Sequence, residues 1–108
     1  MVIVAGRSTQ PLGVMPYIDV AWRHDDPGDP IRLVSELNDQ RYETRKLEFF
    51  RDGRVEYASA RVSRGTKGIG AVPVPSLDEI NADPQFHGVP IESAEFEALW
   101  ERYVTHDT

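Results

Sequence analysis

The stretch FFRDGRVEY, residues 49–57, contains the strongest local structural signal in the chain. At its centre lies Asp52-Gly53, a pair that supplies the positive backbone dihedral angles needed by a tight β-turn. Apolar and aromatic residues stand on both sides of the turn, as they do in paired strands. The stretch therefore predicts an antiparallel hairpin whose second strand runs to about Ala60.

Further strands are predicted N-terminal to this hairpin. Residues 17–22 and residues 31–37 alternate apolar and polar side chains, which is the spacing of half-buried strands. Within residues 41–50 the apolar side chains change parity, and a single inserted residue would explain the change. We therefore expect a β-bulge near Arg45-Lys46.

Two helices are predicted after the strands. Ser76 is followed three residues later by Glu79, and this capping box begins a short helix over about Leu77 to Ala82. We expect Ser93 to cap a second helix. Its inner face carries apolar residues at helical spacing, namely Phe96, Leu99, Trp100, Tyr103 and Val104.

The order of strands first and helices last predicts the α+β class. We expect an antiparallel β-meander of about four strands, with the two C-terminal helices packed on one face. In that arrangement Phe96 and Trp100 close the core against Trp22, Ile18 and Leu33.

A chain of 108 residues has the size of one domain. We expect residues 1–16 to form a flexible N-terminal extension, residues 17–104 the single α+β domain, and residues 105–108 a tail. The absence of cysteine excludes disulfides and thiolate metal sites. No apolar run is long enough for a membrane span or a signal peptide, so a cytoplasmic protein without membrane contact is expected.

Charge is distributed unevenly along the chain. The formal net charge is −6, which opposes binding to nucleic acid. Residues 40–67 nevertheless carry eight basic and four acidic side chains, whereas residues 68–108 carry one basic and eight acidic ones. The sequence therefore predicts a basic middle and an acidic C-terminal part.

The basic middle has two interpretations. Its basic residues, interleaved with Tyr42 and Phe50, resemble the surface of a single-strand binder. Acidic residues alternate with them, however, and cross-strand ion pairs explain this alternation more simply. The basic residues concerned are Arg41, Arg45, Lys46, Arg51 and Arg54.

The acidic C-terminal part is the best candidate for a functional surface. We expect Glu92, Glu95, Glu97 and Glu101 to bind a basic protein partner. The corresponding hypothesis is a non-enzymatic protein-binding module, of the immunity or antitoxin kind. The alternative explanation is an ordinary solvated helix face, which is where charges normally lie.

A second candidate is the loop that holds His24, Asp25, Asp26 and Asp29. One histidine and three carboxylates could bind a ligand or a metal ion, so the alternative function is a small hydrolase or a ligand-binding or metal-binding protein. The spacing is not that of an EF-hand. The aspartates could equally cap backbone amides of the loop. No catalytic motif, cofactor site or definite metal-ligand set is predicted.

An ordered series of motifs resembles a family of short bacterial proteins known as domain of unknown function 6881. The resemblance covers about Met15 to Val104. The motifs that carry it are YIDVAWRHDDP (residues 17–27), SEL (35–37), KLEFFRDGR (46–54), PSLDEIN (75–81) and EFEALW (95–100). It implies a bacterial protein of one domain, and it implies no activity.

Overall fold

The computed structural model describes residues 16–60, 63–64 and 69–104. Apart from Pro16, the predicted N-terminal extension and C-terminal tail lie outside these residues. None of the described helices is long and apolar enough to cross a membrane. In chain order the elements are β1 (Tyr17–Trp22), β2 (Arg32–Leu37), β3 (Glu43–Phe49), β4 (Val55–Ser59), β5 (Ser63–Arg64), α1 (Leu77–Asn81), β6 (Phe86–Pro90) and α2 (Ser93–Tyr103).

The strands form one antiparallel sheet in the order β5-β4-β3-β2-β1-β6. The first five pair as a meander, and β6 returns to the free side of β1. This confirms the α+β class, with an antiparallel sheet and two helices. Five of the strands have five or more residues, so the sheet has one such strand more than the four expected. The additional strand is β6, which lies between the two helices in the sequence. Its sequence FHGVP gave no strand signal, since Gly88 and Pro90 are poor strand formers.

The predicted Asp52-Gly53 hairpin is confirmed. Gly53 has a φ of 94°, a conformation that side chains disfavour. The Phe50 N–H donates to the Arg54 carbonyl at 2.9 Å, and the Arg54 N–H donates to the Asp52 carboxylate at 2.9 Å. The turn thus joins β3 to β4 by local contacts alone.

The predicted bulge is present slightly earlier in the chain than expected. Glu36 pairs with Arg45 and Leu37 pairs with Glu43, so Thr44 is the additional residue. The Thr44 hydroxyl donates to the Glu36 carboxylate at 2.7 Å. Because of the bulge, the side chains that follow it in β3 alternate in the opposite sense. Arg45 and Leu47 therefore lie on the face of the sheet that α2 covers.

The larger core lies between α2 and one face of the sheet. Its buried residues are Val34, Leu47, Tyr57, Phe96, Trp100 and Val104. Phe96 is fully buried and contacts Tyr17, with ring centroids 5.3 Å apart. Trp100 meets Tyr57 edge-on at 6.1 Å.

A smaller core lies on the opposite face. Ile18, Val20 and Leu37 are buried there, against half-buried side chains from α1 and its flanks: Val74, Leu77, Ile80 and Phe86. Neighbouring strand residues such as Tyr17 and Ile18 point to opposite faces, so α1 and α2 cover opposite sides of the sheet.

The positions of the helices therefore differ from the expected packing on one face. Phe96 and Trp100 do not close the core against Trp22, Ile18 and Leu33 as expected. The chain crosses from one face of the sheet to the other at β6, an edge strand that follows α1 and precedes α2 in the sequence. The start of α2 also differs: the helix begins at Ser93, and Glu92 is its N-cap residue.

Side chains close the outer edge of β6. The Gly88 N–H donates to the Asn81 amide oxygen at 2.6 Å, and the Asn81 amide nitrogen donates to the Gly88 carbonyl at 3.0 Å. The Phe86 N–H donates to the Asp83 carbonyl at 2.9 Å. Pro90 has no N–H. The outward backbone donors of β6 are therefore all occupied or missing.

Arg41 holds the segment before α1 against the sheet. Its guanidinium donates to the carbonyls of Val74, at 2.8 Å, and Pro75, at 2.7 Å. Its own carbonyl accepts the Val74 N–H at 2.8 Å. Arg41 has a φ of 67°, a strained conformation for a residue with a side chain. The three hydrogen bonds offset that strain.

Candidate functional site

The four predicted partner-binding carboxylates lie on or beside α2, and all four residues are exposed. At the start of the helix, the Glu95 carboxylate accepts the Glu92 N–H at 3.0 Å. Negative charge is favourable there because the helix dipole is positive at that end. We call Glu92, Glu95, Glu97 and Glu101 the acidic α2 surface.

Glu97 is the one member of this surface that binds a cation within the described residues. Its two carboxylate oxygens accept hydrogen bonds from Arg45, at 3.1 Å and 2.5 Å. Arg45 lies on β3, so the ion pair joins α2 to the sheet. The Glu97 side chain is still about half exposed, and a partner can reach it.

Arg45 is the centre of a network that sequence analysis did not foresee. It also makes two hydrogen bonds to Glu36, at 2.8 Å and 2.7 Å. Its guanidinium lies 4.9 Å from the ring centroid of Phe96 and 5.1 Å from that of Trp100. Cation–π contact with these rings adds to the attraction of the two carboxylates.

The network shifts the titration of its members. Hydrogen bonds from Arg45 hold the pKa of Glu36 below its usual range, although burial opposes the shift. Hydrogen bonds to Glu36 and Glu97 raise the pKa of Arg45. Burial, followed by the charge of Glu36, raises the pKa of the Tyr17 hydroxyl. Every charge is engaged within the network, which is the pattern of a structural ion pair.

Other basic residues of the middle region are also engaged within the protein. Lys46 lies 3.3 Å from Glu48, and both are buried. Arg54 lies 3.6 Å from Glu56, and Arg51 donates to the His24 carbonyl. Lys46–Glu48 and Arg54–Glu56 join residues two positions apart in the sequence, whereas Arg45–Glu36 is a cross-strand pair of the kind expected.

The loop of His24, Asp25, Asp26 and Asp29 is held together by its own backbone. The His24 Nε2–H donates to the Pro30 carbonyl at 2.8 Å, and Nδ1 accepts the Asp26 N–H at 2.9 Å. The Asp26 carboxylate accepts the Gly28 N–H at 2.8 Å. Both ring nitrogens of His24 thus have loop partners, and these contacts do not favour a ligand-binding role.

Metal-binding side chains do not converge in the described part of the chain. No group of three or more histidines, aspartates or glutamates in that part could hold a metal ion. The predicted loop residues therefore share a turn without forming a coordination site. Asp25, a member of this loop, is exposed.

A groove that sequence analysis missed lies between α1 and β6. It has a volume of about 320 Å³ and is lined by Pro75, Glu79, Ile80, Asp83 and Phe86. The α1 groove, as we call it, combines three apolar walls with two carboxylates. The PSLDEI motif predicted the helix, but Phe86 reaches this helix only through the pairing of β6 with β1.

Comparison with known proteins assigns the family. The chain has no significant match among curated proteins or solved structures. Residues 16–105, most of the chain, match a family described as a domain of unknown function. The described residues 16–60, 63–64 and 69–104 fall within this match. The chain belongs to the family DUF6881, domain of unknown function.

Proposed function

We propose that this protein is a non-enzymatic binding module, and that its acidic α2 surface binds a basic protein. One observation carries the proposal. The α2 segment, residues 92–104, contains four carboxylates and a single basic side chain, Arg102. Of these carboxylates, only Glu97 forms an ion pair with the described residues. The remaining negative charge is available to a partner.

The rigidity of α2 supports the proposal. The helix is fixed to the sheet through Phe96, Trp100 and the Arg45 ion pair, so the positions of its acidic residues are fixed before a partner arrives. Such preorganisation reduces the entropy lost on binding. An acidic surface also steers a basic partner during diffusional encounter.

The partner class follows from the charge. A basic enzyme such as a nuclease is the most suitable partner, because a fixed acidic helix can cover the cationic groups that bind its own anionic substrate. The proposal therefore places the protein among inhibitors of the immunity or antitoxin kind, acting in the cytoplasm of a bacterium. This proposed function involves no binding to membranes or to nucleic acid.

The experiment is affinity capture from the native cell with quantitative mass spectrometry, using two variants of matched charge. Glu92→Gln/Glu101→Gln neutralises two carboxylates on α2. Asp25→Asn/Asp39→Asn neutralises two exposed carboxylates elsewhere. We expect a basic protein to be captured by the wild type and the control, and to be lost with the α2 variant.

Titration of the purified partner then measures the effect. We expect affinity to fall about tenfold for the α2 variant, a change of about 1.4 kcal/mol, and to weaken with salt. The control variant should bind like the wild type. A partner that binds both variants equally, or the absence of any partner above background, refutes the proposal.

A further inference from the structure

The α1 groove lies on the opposite face of the sheet from the acidic α2 surface. Its volume of about 320 Å³ is within the range of small-ligand sites. Pro75, Ile80 and Phe86 supply the apolar walls, while Glu79 and Asp83 supply the charge. A ligand that fills this groove must therefore match both kinds of surface.

The apolar walls are fixed before any ligand binds. The Phe86 ring stacks on Trp22, with centroids 5.5 Å apart. The Pro75 carbonyl is held by Arg41 at 2.7 Å. The two hydrogen bonds between Asn81 and Gly88 keep β6 against α1. The groove is consequently preformed, which lowers the entropy lost on binding.

Each carboxylate uses only one oxygen for the protein's own structure. Glu79 Oε1 accepts the Ser76 N–H at 3.2 Å, and Asp83 Oδ1 accepts the Gln85 N–H at 2.9 Å. Among the described residues, Glu79 Oε2 and Asp83 Oδ2 have no hydrogen-bond partner and neither residue forms an ion pair. No basic side chain lines the groove.

We propose that the α1 groove binds a cationic side chain, arginine or lysine, of a peptide segment. The aliphatic part of such a side chain packs on apolar walls while its charged end stays at the polar rim. Here the stem lies against Ile80 and Phe86, and the charged end meets Glu79 and Asp83. A neutral apolar ligand fits less well, because it would displace water from the two carboxylates and offer them no hydrogen bond in return.

The test uses ¹⁵N-labelled protein and two synthetic peptides. One is acetyl-Gly-Leu-Arg-Leu-Gly-amide, and the other has citrulline, a neutral isostere, in place of arginine. We expect saturable chemical-shift changes confined to the backbone amides of residues 76–88 with the arginine peptide. Affinity for the citrulline peptide should be about tenfold lower. This pair of peptides tests the charge without altering the protein.

Matched variants locate the site. Glu79→Gln/Asp83→Asn removes both charges and retains the backbone hydrogen bonds, since glutamine is accepted in a capping box and asparagine in the turn. Glu92→Gln/Glu101→Gln removes the same charge from the other face. We expect the first variant to bind about tenfold more weakly than wild type and the second to bind like wild type.

Three results would overturn the inference. The first is an absence of shift changes up to about 10 mM peptide, which corresponds to a binding free energy too small for a specific site. The second is an equal loss in both variants, which indicates general charge attraction. The third is a set of changes on α2 amides instead. The third result would leave the proposed function standing, because that function depends on the α2 surface alone.

Discussion

The two faces of the sheet are covered in different ways. On one face α2 has 11 residues and buries Phe96 and Trp100 completely or nearly so. On the other face α1 has five residues, none of them buried. The first face is closed by a continuous aromatic core, whereas the second retains a groove of about 320 Å³.

The larger hydrophobic core and the α1 groove therefore lie on opposite faces of the sheet. Burial of large side chains is the dominant favourable term in folding, and here it is concentrated under α2. The α1 groove therefore lies away from the main source of stability. Substitutions on the α2 side should therefore lower stability more than substitutions on the α1 side.

Phe96→Ala should have the largest effect. Removal of a fully buried aromatic ring leaves a cavity, and we expect a loss of about 3–5 kcal/mol in the free energy of unfolding. Leu77→Ala on α1 should lose only about 1–2 kcal/mol, because the side chain is half-buried. Urea unfolding followed by tryptophan fluorescence measures both. Equal losses would show that the two faces contribute equally.

Arg45→Met should have the next largest effect. It leaves the buried carboxylate of Glu36 without its cation, which we expect to lower the free energy of unfolding by about 2–4 kcal/mol. The matched change is Glu97→Gln, which removes the half-exposed partner and should lower it by at most about 1 kcal/mol. Urea unfolding at pH 7 distinguishes them. The reverse order would show that the α2 contact matters more than the sheet contact.

The same ion pair predicts a dependence of stability on pH. The folded state depresses the pKa of Glu36, so its contribution is present above the unfolded value, about 4.3, and is lost as pH falls through the folded pKa. Glu36→Gln should therefore show a smaller decrease in unfolding free energy between pH 6 and pH 2.5 than wild type. Identical pH profiles would contradict the role of this carboxylate.

Asn81→Ala should affect stability less than Phe96→Ala or Arg45→Met, and it should have a separate effect on association. We expect a loss of about 1–2 kcal/mol, since two hydrogen bonds to a partly buried backbone disappear. The exposed Gly88 N–H and carbonyl could then pair with a strand of another molecule. Analytical ultracentrifugation should show more self-association than in wild type. Wild-type behaviour at millimolar concentration would show that Asn81 does not protect the edge.

Local signals explain most of what the sequence predicted correctly. The Asp52-Gly53 turn and the Ser76–Glu79 capping box depend on residues a few positions apart, so their chemistry is visible in the sequence. The change in the alternation of apolar side chains within residues 41–50 likewise predicted the bulge. The bulge lies at Thr44, one residue before the predicted Arg45-Lys46. The α2 helix followed from its apolar spacing.

Contacts between distant residues explain what sequence analysis missed. The strand β6 is short and contains Gly88 and Pro90, so it is recognisable only by its pairing with β1. Because β6 was missed, the change of faces between α1 and α2 was missed too. The Arg45–Glu97 ion pair spans 52 positions, and the α1 groove needs Pro75, α1 and Phe86 together. No local pattern encodes either arrangement.

The strand order also determines when the protein can fold during synthesis. The meander from β1 to β5 pairs neighbours in the chain, so it can assemble as it leaves the ribosome. Its inner side chains Val34, Leu47 and Tyr57 have no cover until α2 has been translated. The nascent chain therefore exposes an apolar sheet face until α2 emerges from the ribosome. Chaperone binding to that face is the expected consequence.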